Sequence, residues 1–114
     1  MDIEKVRKHC ITKNGVTEEF PFGEDTLVFK VMGKMFCLTN LNQGRTINLK
    51  CDPELAVELR ERYDSVTPGY HMNKIHWNTV NLNNTIPDKL IFEWIDHSYD
   101  LVVQGLPKKL KSKL

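Results

Sequence analysis

The sequence lacks most of the features that staple, anchor or power a protein. No apolar run approaches the roughly 20 residues of a membrane-spanning helix, and the opening Met1-Asp2-Ile3-Glu4 does not have the pattern of a signal peptide. Cysteines number three, an odd count at scattered positions. The expectation is therefore a reduced, cytoplasmic protein without a disulfide framework. Neither G-x-x-x-x-G-K-[ST] nor G-x-G-x-x-G occurs, so nucleotide-dependent chemistry loses its usual signature. His71 and His76 stand five apart, and neither they nor His9, His97 and the cysteines fall into the spacing of a zinc site, so no metal and no cofactor are expected. An excess of one charge is missing too: 16 Lys and Arg stand against 15 Asp and Glu, a formal +1. That balance hides an asymmetry, because Lys108, Lys109, Lys111 and Lys113 supply +4 and leave the preceding 106 residues at −3.

What is present is ordinary globular material: 114 residues, 40% hydrophobic and 27% charged. This suits one domain with a core of its own. Residues 1–106 are read as that domain and 107–114 as a loose basic tail.

Asp2 to Asn14 has helical spacing (Ile3, Val6, Cys10), with Asp2 as N-cap and Gly15 as the stop. Val16 to Asp25 reads as a loop whose Phe20, Pro21 and Phe22 plug the core. Thr26 to Asn40 alternates as a hairpin, and Gly33-Lys34 suits a two-residue type II′ turn. That register sets Val31 opposite Phe36 and Phe29 opposite Leu38. It places Leu27, Phe29, Val31, Phe36 and Leu38 on one face, and Lys30 beside Cys37 on the other. Beyond a polar loop at Asn42-Gln43-Gly44, Arg45 to Cys51 forms a third strand. Asp52-Pro53 then starts a helix with Leu55, Ala56, Leu59 and Tyr63 inward. Ile75 to Leu82 is a further strand region; if Val80 and Leu82 face the core, Trp77 and Thr79 face away. Pro87 opens a last helix running to Gln104. The class is α+β, a two-layer sandwich with helices on one face of an antiparallel sheet. The uncovered face then carries Lys30, Asn48 and Lys50.

Asp96-His97-Ser98 has the letters of a hydrolase triad, but consecutive helical residues project about 100° apart and cannot line up as nucleophile, base and orienter. The cysteines read as small buried apolar side chains. No catalytic residue is assigned. The densest candidate stretch is Thr67-Pro-Gly-Tyr-His-Met-Asn-Lys-Ile-His-Trp-Asn-Thr-Val80. Its Tyr70, His71, Asn73, Lys74, His76 and Trp77 could stack on bases and donate to phosphates. They equally suit a loop pinned to the core by its aromatics, with the polar side chains satisfying turn backbone. Lys30, Lys34 and Lys50 form a second set, either a positive surface on the open face or plain solubilising charge.

The strings Pro21-Phe-Gly-Glu-Asp-Thr-Leu-Val-Phe-Lys-Val31, Gly33-Lys-Met-Phe36, Asn48-Leu-Lys-Cys-Asp-Pro53, Thr67-Pro-Gly-Tyr-His-Met-Asn-Lys74, His76-Trp-Asn-Thr79, Asp96-His-Ser-Tyr-Asp-Leu-Val102 and Leu106-Pro-Lys-Lys109 resemble the MmcQ/YjbR family over nearly the whole chain. The resemblance implies small bacterial cytosolic proteins with a CyaY-like or secretion-chaperone-like fold, ordered α-β-β-β-α-β-β-α. It also implies a label of DNA binding through two hairpin wings, here around Gly33-Lys34 and Tyr70 to Trp77.

Three functions are weighed. The first is a non-enzymatic DNA-binding monomer. There Lys30, Lys34, Lys50 and Lys74 meet phosphates, and His71, Asn73, His76 and Trp77 meet sugars or bases. The second is a protein- or peptide-binding, chaperone-like module using the open sheet face. The third is a small-molecule enzyme using His71 or His76. No membrane partner is expected.

Overall fold

The structure, a computed structural model, describes residues 1–42 and 45–114. Gln43 and Gly44 of the expected polar loop lie outside the described residues. The chain runs α1 (Ile3–Ile11), β1 (Val16–Glu19), β2 (Thr26–Val31), β3 (Lys34–Asn40), β4 (Thr46–Lys50), α2 (Pro53–Arg62), β5 (Val66–Pro68), β6 (Trp77–Asn81), α3 (Asp88–Gln104) and α4 (Lys108–Lys111). The strands form one antiparallel sheet in the order β1-β2-β3-β4-β6-β5. The helices pack on one side of it, so the α+β two-layer class stands.

The caps behave as their residue types dictate. Asp2 accepts a hydrogen bond from the Lys5 amide at the head of α1, and Asp52 accepts from the Leu55 amide at the head of α2. Each satisfies a helix donor that would otherwise lack a partner. The core lies between the layers: Leu27, Phe29, Val31, Cys37, Ile47, Leu49 and Val80 from the sheet meet Val6, Cys10, Ala56, Leu59, Ile91, Ile95 and Val102 from the helices.

Four expectations are corrected. The hairpin turn is Met32-Gly33, not Gly33-Lys34. Both residues have positive φ (49° and 84°), a type I′ geometry that pairs Val31 with Lys34. An irregularity then sets Met35 opposite Lys30 but Cys37 opposite Phe29, leaving Phe36 as the extra residue of a bulge. Cys37 therefore faces the helices, and Leu38 joins Val28 on the open face. Val16–Glu19 is an edge strand and not a loop, paired with β2 from Val16–Val31 to Glu19–Val28. It is tied to α1 by Arg7, whose Nε and Nη2 donate to the Glu18 carboxylate at 2.8 and 2.7 Å. Phe20 and Phe22 do not plug the core; both are exposed. The tail is not loose: Pro107 leads into α4, and Leu114 packs against the core beside Gly15.

The bulge explains a buried polar contact. Ser98, on the inner face of α3, donates to the Phe36 carbonyl at 2.6 Å and accepts from the Lys50 amide at 2.9 Å. Its neighbours point elsewhere. His97 Nε2 accepts from the Asp52 amide, while Asp96 binds His9 at 2.7 Å and Lys13 at 2.5 Å. Partial burial works against ionisation of Asp96, but these two partners hold its carboxyl below the usual range. The three side chains thus serve separate structural tasks. All three cysteines are free and buried. Contact with Cys10, together with burial, raises the Cys37 thiol, and burial pushes Cys51 up to about 11, with Asp52 adding to it. At neutral pH Cys37 and Cys51 are thiols, not nucleophilic thiolates.

Candidate binding cleft on the open sheet face

Strand pairing lays one row of side chains straight across the uncovered face. Val28 opposes Leu38, Leu38 opposes Asn48, and Asn48 opposes Thr79. Alternation puts Thr26, Asn40, Thr46 and Lys50 on this same face. It also turns Trp77 and Thr79 outward, because Val80 is in the core. Val28, Leu38 and Thr79 are nonetheless buried, so other parts of the chain cover the middle of the row.

One cover is the 69–76 connection between β5 and β6. Its Tyr70 amide donates to Thr79 Oγ1 at 2.8 Å, Thr79 Oγ1 donates to Asn48 Oδ1 at 2.5 Å, and Asn48 Nδ2 donates to the Tyr70 carbonyl at 3.4 Å. This closed ring of three bonds clamps the loop onto the sheet. The loop's interior is equally tied. Asn73 Oδ1 accepts from the Ile75 and His76 amides, an Asx-type turn. Lys74 Nζ donates to the Gly69 carbonyl at 2.8 Å. From α2, Arg60 donates to Asn78 Oδ1 at 2.7 Å, to the Trp77 carbonyl at 3.3 Å and to the Lys74 carbonyl. The helix layer thereby anchors a loop whose outer side faces the open sheet. Tyr70 stays 60% exposed, its ring tilted on that of His71 with centroids 4.0 Å apart.

Between this loop and Phe22, which is 65% exposed on the β1–β2 connection, lies a cleft of about 540 Å³. Met35, Leu38 and Met72 give it apolar surface; Asn40, Asn48, Asn73 and the Thr26 and Thr46 side chains give it amides and hydroxyls. Among the described residues, no Asp, Glu, Lys or Arg lines it. Its size falls within the roughly 300–1,000 Å³ of ligand pockets.

The expected site residues divide sharply against this geometry. Tyr70, His71 and Asn73 line the cleft. Lys30 is on the open face, as alternation requires, but pairs with Glu19 at 3.4 Å. Lys34 stands exposed beside the hairpin turn. Lys50 and Trp77 are cross-strand partners outside the cleft lining. Lys74 is spent on its own loop. His76 is exposed, and its carbonyl accepts from the Cys51 amide at 2.8 Å. Sequence reading missed Phe22, Met35, Leu38 and Met72 as lining residues. Strand alternation already set Asn48 on the uncovered face, whereas Leu38 reaches it only through the β3 bulge. Among the described residues, no group of three His, Cys, Asp or Glu is placed to hold a metal ion, and no helix is long and apolar enough to cross a membrane.

The fold and cleft define an open-faced α+β sandwich whose uncovered sheet carries a neutral, partly apolar recess. The chain belongs to the YjbR family: the family model described as YjbR matches residues 11–101. It is 43% identical over 91 residues to the uncharacterized protein YbdF of Escherichia coli O157:H7, covering 79% of this chain and 75% of that protein. To the uncharacterized protein YjbR of E. coli K12 it is 32% identical over 115 residues, covering 100% of this chain and 98% of that one. Among solved structures, the Deinococcus radiodurans protein DR2400 superposes with a TM-score of 0.91 at 39% identity, covering 98% of this chain and 86% of that one. A Pseudomonas syringae protein gives 0.75 at 29% identity, covering 89% and 98%.

Proposed function

We propose that the protein is a non-catalytic binding module that takes a short, partly apolar peptide segment of a protein partner in the open-face cleft. The observation that carries this reading is the lining: two exposed aromatic walls and flexible thioethers over a floor of amides and hydroxyls, without a formal charge. Amides and hydroxyls match peptide backbone groups, and methionines adapt to varied apolar side chains. Exposed aromatics supply contact area at low entropic cost.

Phe22 and Tyr70 are exposed, so replacing both leaves the core intact. Panning of a random dodecapeptide display library on the wild-type chain is expected to enrich peptides with an apolar anchor. The Phe22→Ala/Tyr70→Ala variant is expected to bind them at least about tenfold more weakly, as for loss of central aromatic anchors. Absence of any enriched peptide, or unchanged affinity in the double variant, contradicts the reading.

DNA binding is a second reading, supported by Lys34, Lys50 and the four tail lysines, for which no ion pair occurs among the described residues. It requires affinity that falls steeply with salt. Fluorescence anisotropy at low ionic strength that detects no binding to duplex or single strand overturns it.

A further inference from the structure

We infer that the bound segment carries an acidic side chain beside its apolar anchor, and that Lys50 is the residue that reads it. The inference rests on the peptide-binding reading and names the charge of the partner, which the neutral cleft by itself leaves open.

Among the lysines expected to form a positive surface, Lys30 and Lys74 are already satisfied. Lys30 has Glu19 and Lys74 has the Gly69 carbonyl. Lys50 differs. Its backbone amide is bonded to Ser98, but its ammonium has no carboxylate and no hydrogen-bond acceptor among the described residues. The residue is only half exposed and its cross-strand neighbour is half-buried Trp77. An unpaired cation on a half-buried residue gains more from an anion than a fully solvated lysine does, because the local dielectric is lower. Lys50 also sits where a bound chain would pass. It follows Asn48 by two residues on the same face of β4, about 7 Å beyond the cleft floor. An extended peptide covers that distance in about two residues, and the length of the lysine side chain adds one or two more. The geometry therefore places the acidic group about two to four residues from the anchor. The charge-free cleft selects the anchor, and the Lys50 cation at its margin fixes the direction in which the segment lies.

The test uses the same dodecapeptide library on the full chain and on Lys50→Met, a variant that keeps the length and apolar stem of the side chain. Peptides selected by the wild type are expected to show Asp or Glu about two to four residues from an apolar or aromatic anchor. For a selected peptide, Asp→Asn or Glu→Gln in the ligand and Lys50→Met in the protein should each weaken binding about three- to tenfold. The two together should cost little more than either alone, the signature of one shared pair. Apolar enrichment without an acidic preference overturns the inference and leaves the cleft reading standing. So does an acidic preference that survives Lys50→Met. Failure to enrich any peptide removes the cleft reading and the inference with it.

Discussion

Ser98→Ala lowers the unfolding free energy by about 2–4 kcal/mol, although it removes a single oxygen. That oxygen is wholly buried and serves both the Phe36 carbonyl, displaced from the ladder by the β3 bulge, and the Lys50 amide on the next strand. Each buried backbone group left without a partner costs about 1–3 kcal/mol. Neither can turn to water beneath α3. Ser112→Ala, which deletes an exposed hydroxyl bonded to the Lys109 carbonyl, should stay within about 0.5 kcal/mol of wild type. Urea denaturation of the three proteins makes the comparison. A loss at Ser98 no larger than that at Ser112 shows that the bulge does not depend on the helix.

Gly69→Ala reaches both stability and binding. A Cβ at this position would lie 2.7 Å from Trp77 Cβ, 2.9 Å from the Trp77 carbonyl oxygen and 3.0 Å from Met72 Cβ. Two of those atoms belong to strand β6 at the root of the loop and cannot swing aside as a flexible side chain tip would. Overpacking of this kind costs about 1–3 kcal/mol. The same shift pulls Gly69 off the Trp77 carbonyl, to which its amide donates at 2.8 Å, and off Lys74. Because Tyr70, His71, Met72 and Asn73 follow directly and line the cleft, peptide affinity should fall about tenfold or more with the helix layer intact. Gly23→Ala gives the control for glycine loss itself: a Cβ there meets nothing within 4 Å, and only the positive φ opposes it. Equal peptide affinity in wild type and Gly69→Ala shows that the loop is not the wall of the site.

The fold was legible wherever a local device determines it. Asp2 and Asp52 announce helix starts because a short carboxylate can reach an orphan amide, and Pro53 reinforces the second. Leu27, Phe29 and Val31 share a face because period-two alternation permits little else. The hairpin shows where that reasoning stops. Gly33 satisfies the positive-φ demand at the first position of a II′ turn or at the second of an I′ turn, and the choice depends on Met32 accepting φ of 49°. Moving the turn back by one residue shifts the pairing by two, from Val31–Phe36 to Val31–Lys34, and so leaves every side chain on its own face. The extra residue at Phe36, which no local pattern marks, is what exchanges the sides of Cys37 and Leu38, while Phe36 itself stays on the helix side. Edge strand β1 has the same character: Val-Thr-Glu-Glu is weak strand material, and Arg7 from another element completes it.

The cleft was less legible because it is wholly tertiary. Tyr70, His71 and Asn73 stood out by residue type, but nothing local brings them opposite Phe22, which comes from a connection nearly fifty residues earlier in the chain. The lysines stood out for the opposite reason. Charge is conspicuous in a sequence, yet whether a cation is free depends on neighbours such as Glu19, which the sequence reading assigned to a loop. Trp77 was tractable because its orientation hangs only on Val80, three residues along one strand.

On the proposal above, a partner segment binds the open sheet face between Phe22 and Tyr70. Titrating the isotope-labelled chain with one library-selected peptide and following backbone amide chemical shifts tests it most directly. The largest shifts are expected at Leu38, Asn48, Thr79 and Tyr70 to Asn73, with α1 and the outer side of α3 unmoved. Shifts centred on the helix layer, or on the hairpin turn and the lysines of 108–113, would contradict it.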